Sequence, residues 1–202
     1  MILYGASGHA KVIIDCMLSQ NIPLSAIYDD NLEIKELLTN NVIGKYNPQT
    51  LKDKKLIISI GDNNIRKNIA KNIKHKFGTV SHRTAIISEY SNIGEGTVIF
   101  HNAVIQSGSV IGNHVIINTS ASIDHDCIIE DYVHVSPNAT LCGGVKIGEG
   151  THFGAGAIAI PNIKIGKWCI IGAGAVIIKD VPDNAVVVGN PGCIIKYREI
   201  NE

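Results

Sequence analysis

The chain has 202 residues, of which 45% are hydrophobic and only 5% aromatic, so its core must be built mainly from aliphatic side chains. Eighteen basic residues balance eighteen acidic ones, which argues against a nucleic-acid partner and against an anionic membrane surface. No run approaches the ~18 apolar residues needed to span a bilayer, and the first residues lack a signal-peptide pattern. The five cysteines form no closely spaced pair, which is typical of reduced thiols. We therefore expect a cytoplasmic protein without membrane insertion.

Short strands and helices alternate over residues 1–80. The apolar patterns predict strands at residues 2–4, 26–28 and 56–60, and helices at residues 10–19 and 65–76. Strand, turn and helix in this order are typical of a small parallel α/β domain. The sequence therefore predicts a Rossmann-like βαβ domain over residues 1–80.

Polar and glycine residues follow each predicted strand of this domain. In open parallel sheets, ligands bind outside the carboxyl ends of the strands, where helix N-termini also present free N–H groups. The alternative is a set of solvated turn residues, because a two-glycine turn without GxGxxG spacing is often only a corner between strand and helix. We favour a nucleotide-binding edge. Its candidate residues are Ser7, Gly8, His9, Asp29, Asp30 and Gly61.

A six-residue repeat occupies most of the remaining chain. Every sixth position from Ile87 to Ile177 is apolar, and the position four residues later is usually small. This period fits short strands separated by turns around a triangular coil of about eighteen residues, whereas an ordinary β-sandwich would not keep all these positions in phase. The pattern is that of the hexapeptide-repeat, left-handed parallel β-helix. We place the β-helix at residues 81–180 and a C-terminal cap and tail at residues 181–202.

One corner of the predicted coil carries a candidate catalytic pair. Ile123 and Cys127 point inward by the repeat, so His125 and Asp126 lie at a corner where both are exposed. A carboxylate beside an imidazole fixes its tautomer and raises its basicity, which suits a general base near neutral pH. The alternative is an ordinary surface histidine, since the chain has eight histidines.

Stacking of the coils predicts the surroundings of this pair. One coil further along the chain, Gly143 lies under His125 and Gly144 under Asp126, so we expect an open groove there for a thioester. A second corner stacks three small residues, Pro137, Ala155 and Ala173. Such a smooth track suits a pantetheine arm.

Two further polar groups lie elsewhere on the coil. His134 is half a coil from His125, so the two histidines share a cleft only if a corner of one subunit faces a side of its neighbour, as a trimer allows. Asn118, with Ser136 one coil below, either helps to hold substrate or is simply a turn residue. No two of the histidines at positions 125, 134 and 152 show the close spacing of metal ligands from one coil, so we expect no metal.

The chain resembles, over essentially its whole length, one group of hexapeptide-repeat transferases. This group contains the sialic acid O-acetyltransferases and the bacterial nucleotide-sugar N-acetyltransferases, the PglD- and NeuD-like family. The segments that carry the resemblance are the opening YGASGH, the Asp29-Asp30 pair, IGDNNIR, the HDC turn, VHVSPNATLCGGVKIG and the closing VVVGNPG. Two positions depart from the family pattern: Asp126 stands where the best-known member has glutamate, and Cys193 stands where alanine is usual.

The resemblance implies an acetyl-CoA-dependent acetyltransferase that acts as a homotrimer with its active sites between subunits. It implies that His125 is the general base for direct attack, that Asp126 is its partner, and that Asn118 lies on the substrate side. It places CoA against His134, Gly143, Ala155 and Ala173. It places the nucleotide-sugar against Ser7, Gly8, His9, Asp29, Asp30 and Gly61.

Three hypotheses on function remain at this point. The first is acetylation of the amino group of a nucleotide-linked amino-deoxy sugar. The second is O-acetylation of sialic acid or a related sugar. The third is a non-catalytic, nucleotide-binding trimeric scaffold, in which His125 has no role.

Overall fold

The computed structural model describes residues 1–199. Its N-terminal part contains three parallel strands, a small antiparallel hairpin and two helices. The parallel strands are β1 Ile2–Tyr4, β2 Ala26–Tyr28 and β5 Leu56–Ile58, the hairpin is β3 Glu36–Leu37 with β4 Asn40–Asn41, and the helices are α1 Gly8–Ser19 and α2 Asn63–Ala70. In the parallel sheet, β1 lies between β2 and β5.

The types of these elements agree with the sequence, but four predicted boundaries were wrong. The third strand ends at Ile58 rather than at residue 60. Helix α1 begins at Gly8 instead of residue 10, so Gly8 and His9 belong to its first turn. Helix α2 covers residues 63–70 instead of 65–76. It begins earlier because the Asp62 side chain accepts a hydrogen bond from the Ile65 N–H (2.9 Å) and caps the helix there.

From Val80 onward the chain forms the predicted left-handed parallel β-helix, with about six turns and three flat sides. Sheet I contains β7 Ile86–Ile87, β10 Val104–Ile105, β13 Ser122–Ile123, β16 Thr140–Leu141, β19 Ile158–Ala159 and β22 Val176–Ile177. Sheet II contains β8 Asn92–Ile93, β11 Val110–Ile111, β14 Ile128–Ile129, β17 Lys146–Ile147 and β20 Lys164–Ile165. Sheet III contains β6 Val80–Ser81, β9 Val98–Ile99, β12 Ile116–Ile117, β15 His134–Val135, β18 His152–Phe153, β21 Ile170–Ile171, β23 Ala185–Val188 and β24 Cys193–Tyr197.

The repeat positions build the core of this β-helix. Strands pair with the strand eighteen residues further on, as Ile105 does with Ile123, so the aliphatic side chains stack in columns inside the triangle. From Gly96 to Gly174, each corner is a tight turn whose third residue has a positive φ. At the corner between sheets I and II these residues are Gly108 (φ +77), Asp126 (φ +58), Gly144 (φ +71) and Asn162 (φ +63). Glycine, asparagine and aspartate tolerate this conformation better than other residues.

The N-terminal part packs on the outer face of sheet III. The outward side chains of the first coils are apolar, including Val98, Phe100 and Ile116, and they form one buried cluster with Ile13 and Met17 of α1. Further along the same face, the outward positions are the histidines of β15 and β18. The edge of the N-terminal part therefore lies against a polar stretch of the β-helix.

The last two strands of the described chain extend sheet III of the β-helix. Strand β23 continues sheet III in parallel with β21, and β24 returns antiparallel to β23. Both strands lie within residues 181–202, the segment predicted to form a C-terminal cap and tail. The last three residues of the predicted tail, 200–202, lie outside the described residues.

Candidate functional site

The corner between β13 and β14 presents a histidine and a carboxylate in contact. His125 Nδ1 lies 2.8 Å from Asp126 Oδ2, and the two side chains are 62% and 72% exposed. His125 Nε2 makes no hydrogen bond within residues 1–199, so this nitrogen is free to accept a proton from a ligand. The hydrogen bond to Asp126, aided by the charge of Asp124, raises the pKa of His125.

Asp124 is a third member of this corner that the sequence analysis did not assign to the site. Its Oδ1 accepts a hydrogen bond from the His125 N–H at 2.8 Å, which fixes the turn on which the imidazole stands. An aspartate one residue before a turn residue is a common turn signal, so the sequence offered a hint of this role.

Gly143 does not leave the open groove that stacking predicted. A Cβ built on Gly143 would lie 2.6 Å from His125 Cε1 and 2.7 Å from Nε2. The imidazole therefore fills the space above this glycine, and the absent side chain makes room for the ring rather than for a thioester. The Gly143 N–H has no hydrogen-bond acceptor within residues 1–199, so it stays available to a ligand beside His125.

The carboxyl edge of the parallel sheet collects the residues predicted to bind a nucleotide. Both oxygens of Asp29 are occupied, since Oδ2 accepts from the Ala6 N–H (2.7 Å) and Oδ1 from the Asn31 N–H (2.8 Å). Asp30 Oδ2 accepts from the Tyr4 hydroxyl at 2.7 Å. Asp29 thus shapes the turn after β1, whereas Asp30 Oδ1 accepts no hydrogen bond within residues 1–199.

The glycines at this edge fall into two kinds. Gly5 has φ +112, and a Cβ there would lie 2.6 Å from Ile60, so the fold itself requires this glycine. Gly8 and Gly61 have no atoms within 4 Å of an added Cβ. The fold would therefore accept a side chain at either position.

A histidine cluster lies where this edge meets sheet III. The rings of His9 and His134 are 6.3 Å apart, and those of His134 and His152 are 4.9 Å apart. Asn118 Nδ2 lies 3.0 Å from His134 Nε2, while His9 Nε2 and His134 Nδ1 are buried without a hydrogen-bond partner within residues 1–199. Buried imidazole nitrogens without a protein partner usually bond to water or to a polar ligand.

A buried arginine ties this cluster to both parts of the chain. The Arg66 side chain is 1% exposed and donates from all three nitrogens. Its acceptors are the backbone carbonyls of Ile60, Gly61, His114 and Tyr132 and the side-chain oxygen of Asn63, at 2.8–3.2 Å. Arg66 was not predicted as part of the site, because a lone arginine in a charged helix carries no signal of burial.

Burial sets the charge of this region. It lowers the pKa of His9 to about 4 and that of His134 to about 2, and the nearby Arg66 cation acts in the same direction. The Gly61 carbonyl opposes the shift at His134 only weakly. The cluster is therefore neutral at pH 7, with a permanently charged guanidinium behind it.

The residues predicted to bind CoA lie in three places on one chain. His134 is on the outer face of sheet III with the histidine cluster, and Gly143 is at the His125 corner. Ala155 and Ala173 are exposed at the corner between sheets III and I, where Pro137, Ala155 and Ala173 stack through the hydrogen bonds Gly156 N to Pro137 O and Gly174 N to Ala155 O. The predicted smooth track is thus present, but a single chain does not bring it together with His125.

Comparisons with known proteins identify the family. The PglD N-terminal domain family matches residues 1–73, and the bacterial transferase hexapeptide (six repeats) family matches residues 108–143, 126–158 and 144–179. The structure is similar to a mutant of perosamine N-acetyltransferase from Caulobacter crescentus in complex with CoA and GDP-perosamine, at 32% identity, 96% coverage of each chain and a TM-score of 0.92. The chain belongs to the PglD-like family of sugar acyltransferases.

Other PglD-like structures agree. The acetyltransferase domain of PglB from Neisseria gonorrhoeae FA1090 is 33% identical, with 96% of this chain and 98% of that chain covered and a TM-score of 0.88. WeeI from Acinetobacter baumannii AYE is 29% identical over 96% of this chain and 98% of that chain, with a TM-score of 0.85. A sequence comparison with curated proteins finds no match.

Residues 1–199 of this PglD-like chain contain neither a candidate metal site nor a candidate membrane-spanning helix. No three histidine, cysteine, aspartate or glutamate side chains are grouped so that they could hold a metal ion. Neither helix in that range has the length and hydrophobicity that a bilayer-spanning segment requires.

The neutral histidines of this PglD-like chain predict acid-sensitive stability. His9, His114 and His134 have folded-state pKa values of about 4, 4 and 2, whereas an unfolded histidine titrates at about 6.5. As the pH falls from 6.5 to 4.5, the unfolded chain binds protons that the folded chain does not. The free energy of unfolding should therefore fall by roughly 1.4 kcal/mol per pH unit for each such histidine.

Urea titrations at several pH values, at one protein concentration, measure this slope. A His114→Phe variant removes one of the three titrations and should show a correspondingly shallower slope. Stability that stays constant between pH 6.5 and 4.5 would mean that these imidazoles are protonated in the folded state.

Proposed function

We propose that this protein transfers the acetyl group of acetyl-CoA to the amino group of a nucleotide-linked amino-deoxy sugar. The observation that carries the proposal is the 2.8 Å contact between His125 Nδ1 and Asp126 at an exposed corner, with Nε2 left free. Two relatives support the substrate class: the Caulobacter protein is named as a perosamine N-acetyltransferase with CoA and GDP-perosamine, and the PglB domain was solved with acetyl coenzyme A.

His125 is the general base of a direct transfer. Asp126 holds the Nδ1–H, so the lone pair of Nε2 accepts a proton from the acceptor amine while the amine nitrogen attacks the thioester carbonyl carbon. The carbon–sulfur bond then breaks, and the departing CoA thiolate recovers the proton from the imidazolium. A base with a raised pKa stays mostly neutral only above that pKa, so the reaction slows in acid.

The Gly143 N–H is positioned to stabilise the oxyanion of this step. It has no acceptor within residues 1–199 and lies directly under the imidazole that activates the nucleophile. A preorganised backbone donor costs no reorganisation when negative charge develops on the carbonyl oxygen. Gly143 therefore serves the transition state in addition to making room for His125.

The acceptor binds along the carboxyl edge of the N-terminal sheet. Ser7, Gly8 and His9 begin helix α1, whose free N–H groups suit the phosphates of a nucleotide, and Asp30 offers an oxygen for hydroxyl groups. Gly8 and Gly61 leave the space open. A groove of about 190 Å³, lined by Gly61, His152, Trp168 and other residues, continues from there along sheet III. Residues 1–80 thus form the acceptor domain, and residues 81–180 carry the acyl donor and the base.

The complete active site forms between subunits of a homotrimer. In one chain His125 stands at the corner of sheets I and II, while His134 and Asn118 lie on the side of sheet III next to the acceptor edge. The track of Ala155 and Ala173 lies at yet another corner. If the His125 corner of one subunit faces sheet III of its neighbour, acyl donor, base and acceptor meet in one cleft.

An acceptor panel tests the proposed function. The purified protein is incubated with acetyl-CoA and with nucleotide-linked amino sugars that carry different bases, and the release of free CoA thiol is measured. For each amino sugar, the matched control carries a hydroxyl in place of the amine. We expect thiol release and an acetylated product only with the amines. Release only with the hydroxyl controls would contradict N-acetylation, and no release with any acceptor would contradict an enzymatic role.

A further inference from the structure

We propose that Gly108 is a positioning residue for the catalytic pair: its missing side chain leaves the space in which the Asp126 carboxylate reaches His125. This inference rests on the proposed function for its kinetic consequence, but not for its structural one. Gly108 lies one coil before Asp126 at the corner between sheets I and II. It touches no substrate in this role and acts through the carboxylate.

The geometry around Gly108 leaves no room for a side chain. A Cβ built on this residue would lie under 3.0 Å from Asp126 Oδ1, a distance that real Cβ atoms essentially never show. Asp126 Oδ2, the other oxygen of the same carboxylate, makes the 2.8 Å contact with His125 Nδ1. A side chain at position 108 thus pushes on the group that orients the imidazole.

The backbone cannot move apart to relieve this clash. The Asp126 N–H donates to the Ser107 carbonyl at 3.1 Å, and the Gly108 N–H donates to the Tyr90 carbonyl at 3.2 Å. These bonds lock the corner turns of three successive coils at the spacing of the β-helix. The Asp126 side chain is 72% exposed, so rotation of the carboxylate into solvent is the cheapest relief. That rotation breaks the contact with His125.

A glycine also lies on the other side of the His125–Asp126 pair. Gly143, in the coil after His125, accommodates the imidazole ring, just as Gly108, in the coil before Asp126, accommodates the carboxylate. The two side chains therefore stand between two glycines on neighbouring coils. The remaining charged neighbour is Asp124, whose Oδ1 is held by the His125 N–H, while the adjacent coils present Ser107, Gly108, Gly143 and Gly144.

The test is the titration of His125 in a Gly108→Ala variant. Asp126 raises the pKa of His125 in the wild-type protein, so Asp126→Ala lowers it. NMR of the imidazole against pH should show that Gly108→Ala lowers the His125 pKa to the value found in Asp126→Ala. The acid limb of the pH profile of kcat/KM should move to lower pH in the same way. A His125 pKa equal to that of the wild type would overturn the proposal.

Two controls separate positioning from a general effect on the fold. Gly189→Ala carries the same kind of positive-φ cost (φ +93), yet its added Cβ meets nothing nearer than 3.5 Å, so it should leave the His125 pKa and turnover unchanged. In an Asp126→Ala background, Gly108→Ala should change neither His125 titration nor turnover further, because there is no carboxylate to displace. Additive losses in that double variant would also overturn the proposal.

The outcome is distinguishable from failure of the proposed function. The titration needs no substrate, so a lowered His125 pKa in Gly108→Ala supports the positioning role even if no acetyl transfer is found. Conversely, if the enzyme is active and Gly108→Ala leaves the pKa of His125 unchanged, the proposed function stands and only the positioning role of Gly108 is contradicted.

Discussion

His125→Ala should lower turnover by at least ~100-fold, the lower range for loss of general acid–base catalysis. The imidazole is the group on this corner with a free basic nitrogen, and its side chain is 62% exposed. Its removal uncovers Gly143 without opening the core, so the fold should survive. Steady-state rates of thiol release, with both substrates saturating, measure the loss.

His101→Ala is the matched control for this experiment. His101 occupies the corresponding turn position on another corner, where its ring lies 3.7 Å from that of His82 and it has no carboxylate partner among residues 1–199. This variant should retain its rate. A second variant, Asp126→Asn, keeps the shape of the side chain but removes the charge, so the pKa of His125 falls and the acid limb of the rate profile moves to lower pH. Near wild-type turnover of His125→Ala would refute the base assignment.

The β-helix was predictable because its repeat is enforced at every coil. Each side of the triangle buries one large residue per strand, so an out-of-phase residue would place a polar group in the core. Ile123 and Leu141 occupy such positions and are fully buried. The N-terminal strands were predictable for a similar reason, since a sheet covered on both faces reads as a short apolar run. Helix ends were less predictable, because the capping bond of Asp62 competes with an equally plausible later start.

The candidate site was predictable in part. The repeat determines which residues lie at a corner, so it correctly predicted that His125 and Asp126 are exposed. It does not fix the direction of a side chain along the coil axis, which is why Gly143 was taken for the floor of an open groove. The approach of His9 to His134 was equally hidden, because it depends on how the N-terminal part docks on sheet III.

The burial of Arg66 also depends on docking and was therefore not predictable from the sequence. This arginine lies between Ile65 and Lys67 in a helix that also carries three asparagines, and nothing in the sequence marks it as buried. Only the docking of α2 against two successive coils brings the His114 and Tyr132 carbonyls within reach of its guanidinium. Burial lowers the pKa of Arg66 to about 10, although the charge of Asp62 acts in the opposite direction. The direct hydrogen-bond acceptors of the guanidinium are backbone carbonyls from both parts of the chain and the side-chain oxygen of Asn63.

Arg66→Met should therefore destabilise the protein by about 3–5 kcal/mol, the range for removing one partner from a buried charged network. Methionine fills part of the space but leaves the four carbonyls and the Asn63 side chain without their donor, and each buried group left unsatisfied costs free energy. Urea unfolding followed by circular dichroism, at fixed protein concentration, measures the change. Because Arg66 joins the N-terminal part to the β-helix, we also expect the two parts of the Arg66→Met variant to unfold in separate transitions.

Two further variants make this last expectation specific. Arg66→Lys keeps the positive charge but offers fewer N–H donors without the planar fork of the guanidinium, so it should recover only part of the lost stability. Arg198→Met removes an exposed arginine that donates to a single carbonyl, that of Trp168 at 3.2 Å, and should change stability by no more than about 0.5 kcal/mol. If Arg66→Met unfolds at the same urea concentration as Arg198→Met, and in one transition, then Arg66 does not hold the N-terminal part on the β-helix. The apolar contacts of α1, the hydrogen bonds of Asn63 to the Gly150 and Thr151 carbonyls, and the ion pair of Lys67 with Glu149 would then hold the two parts together.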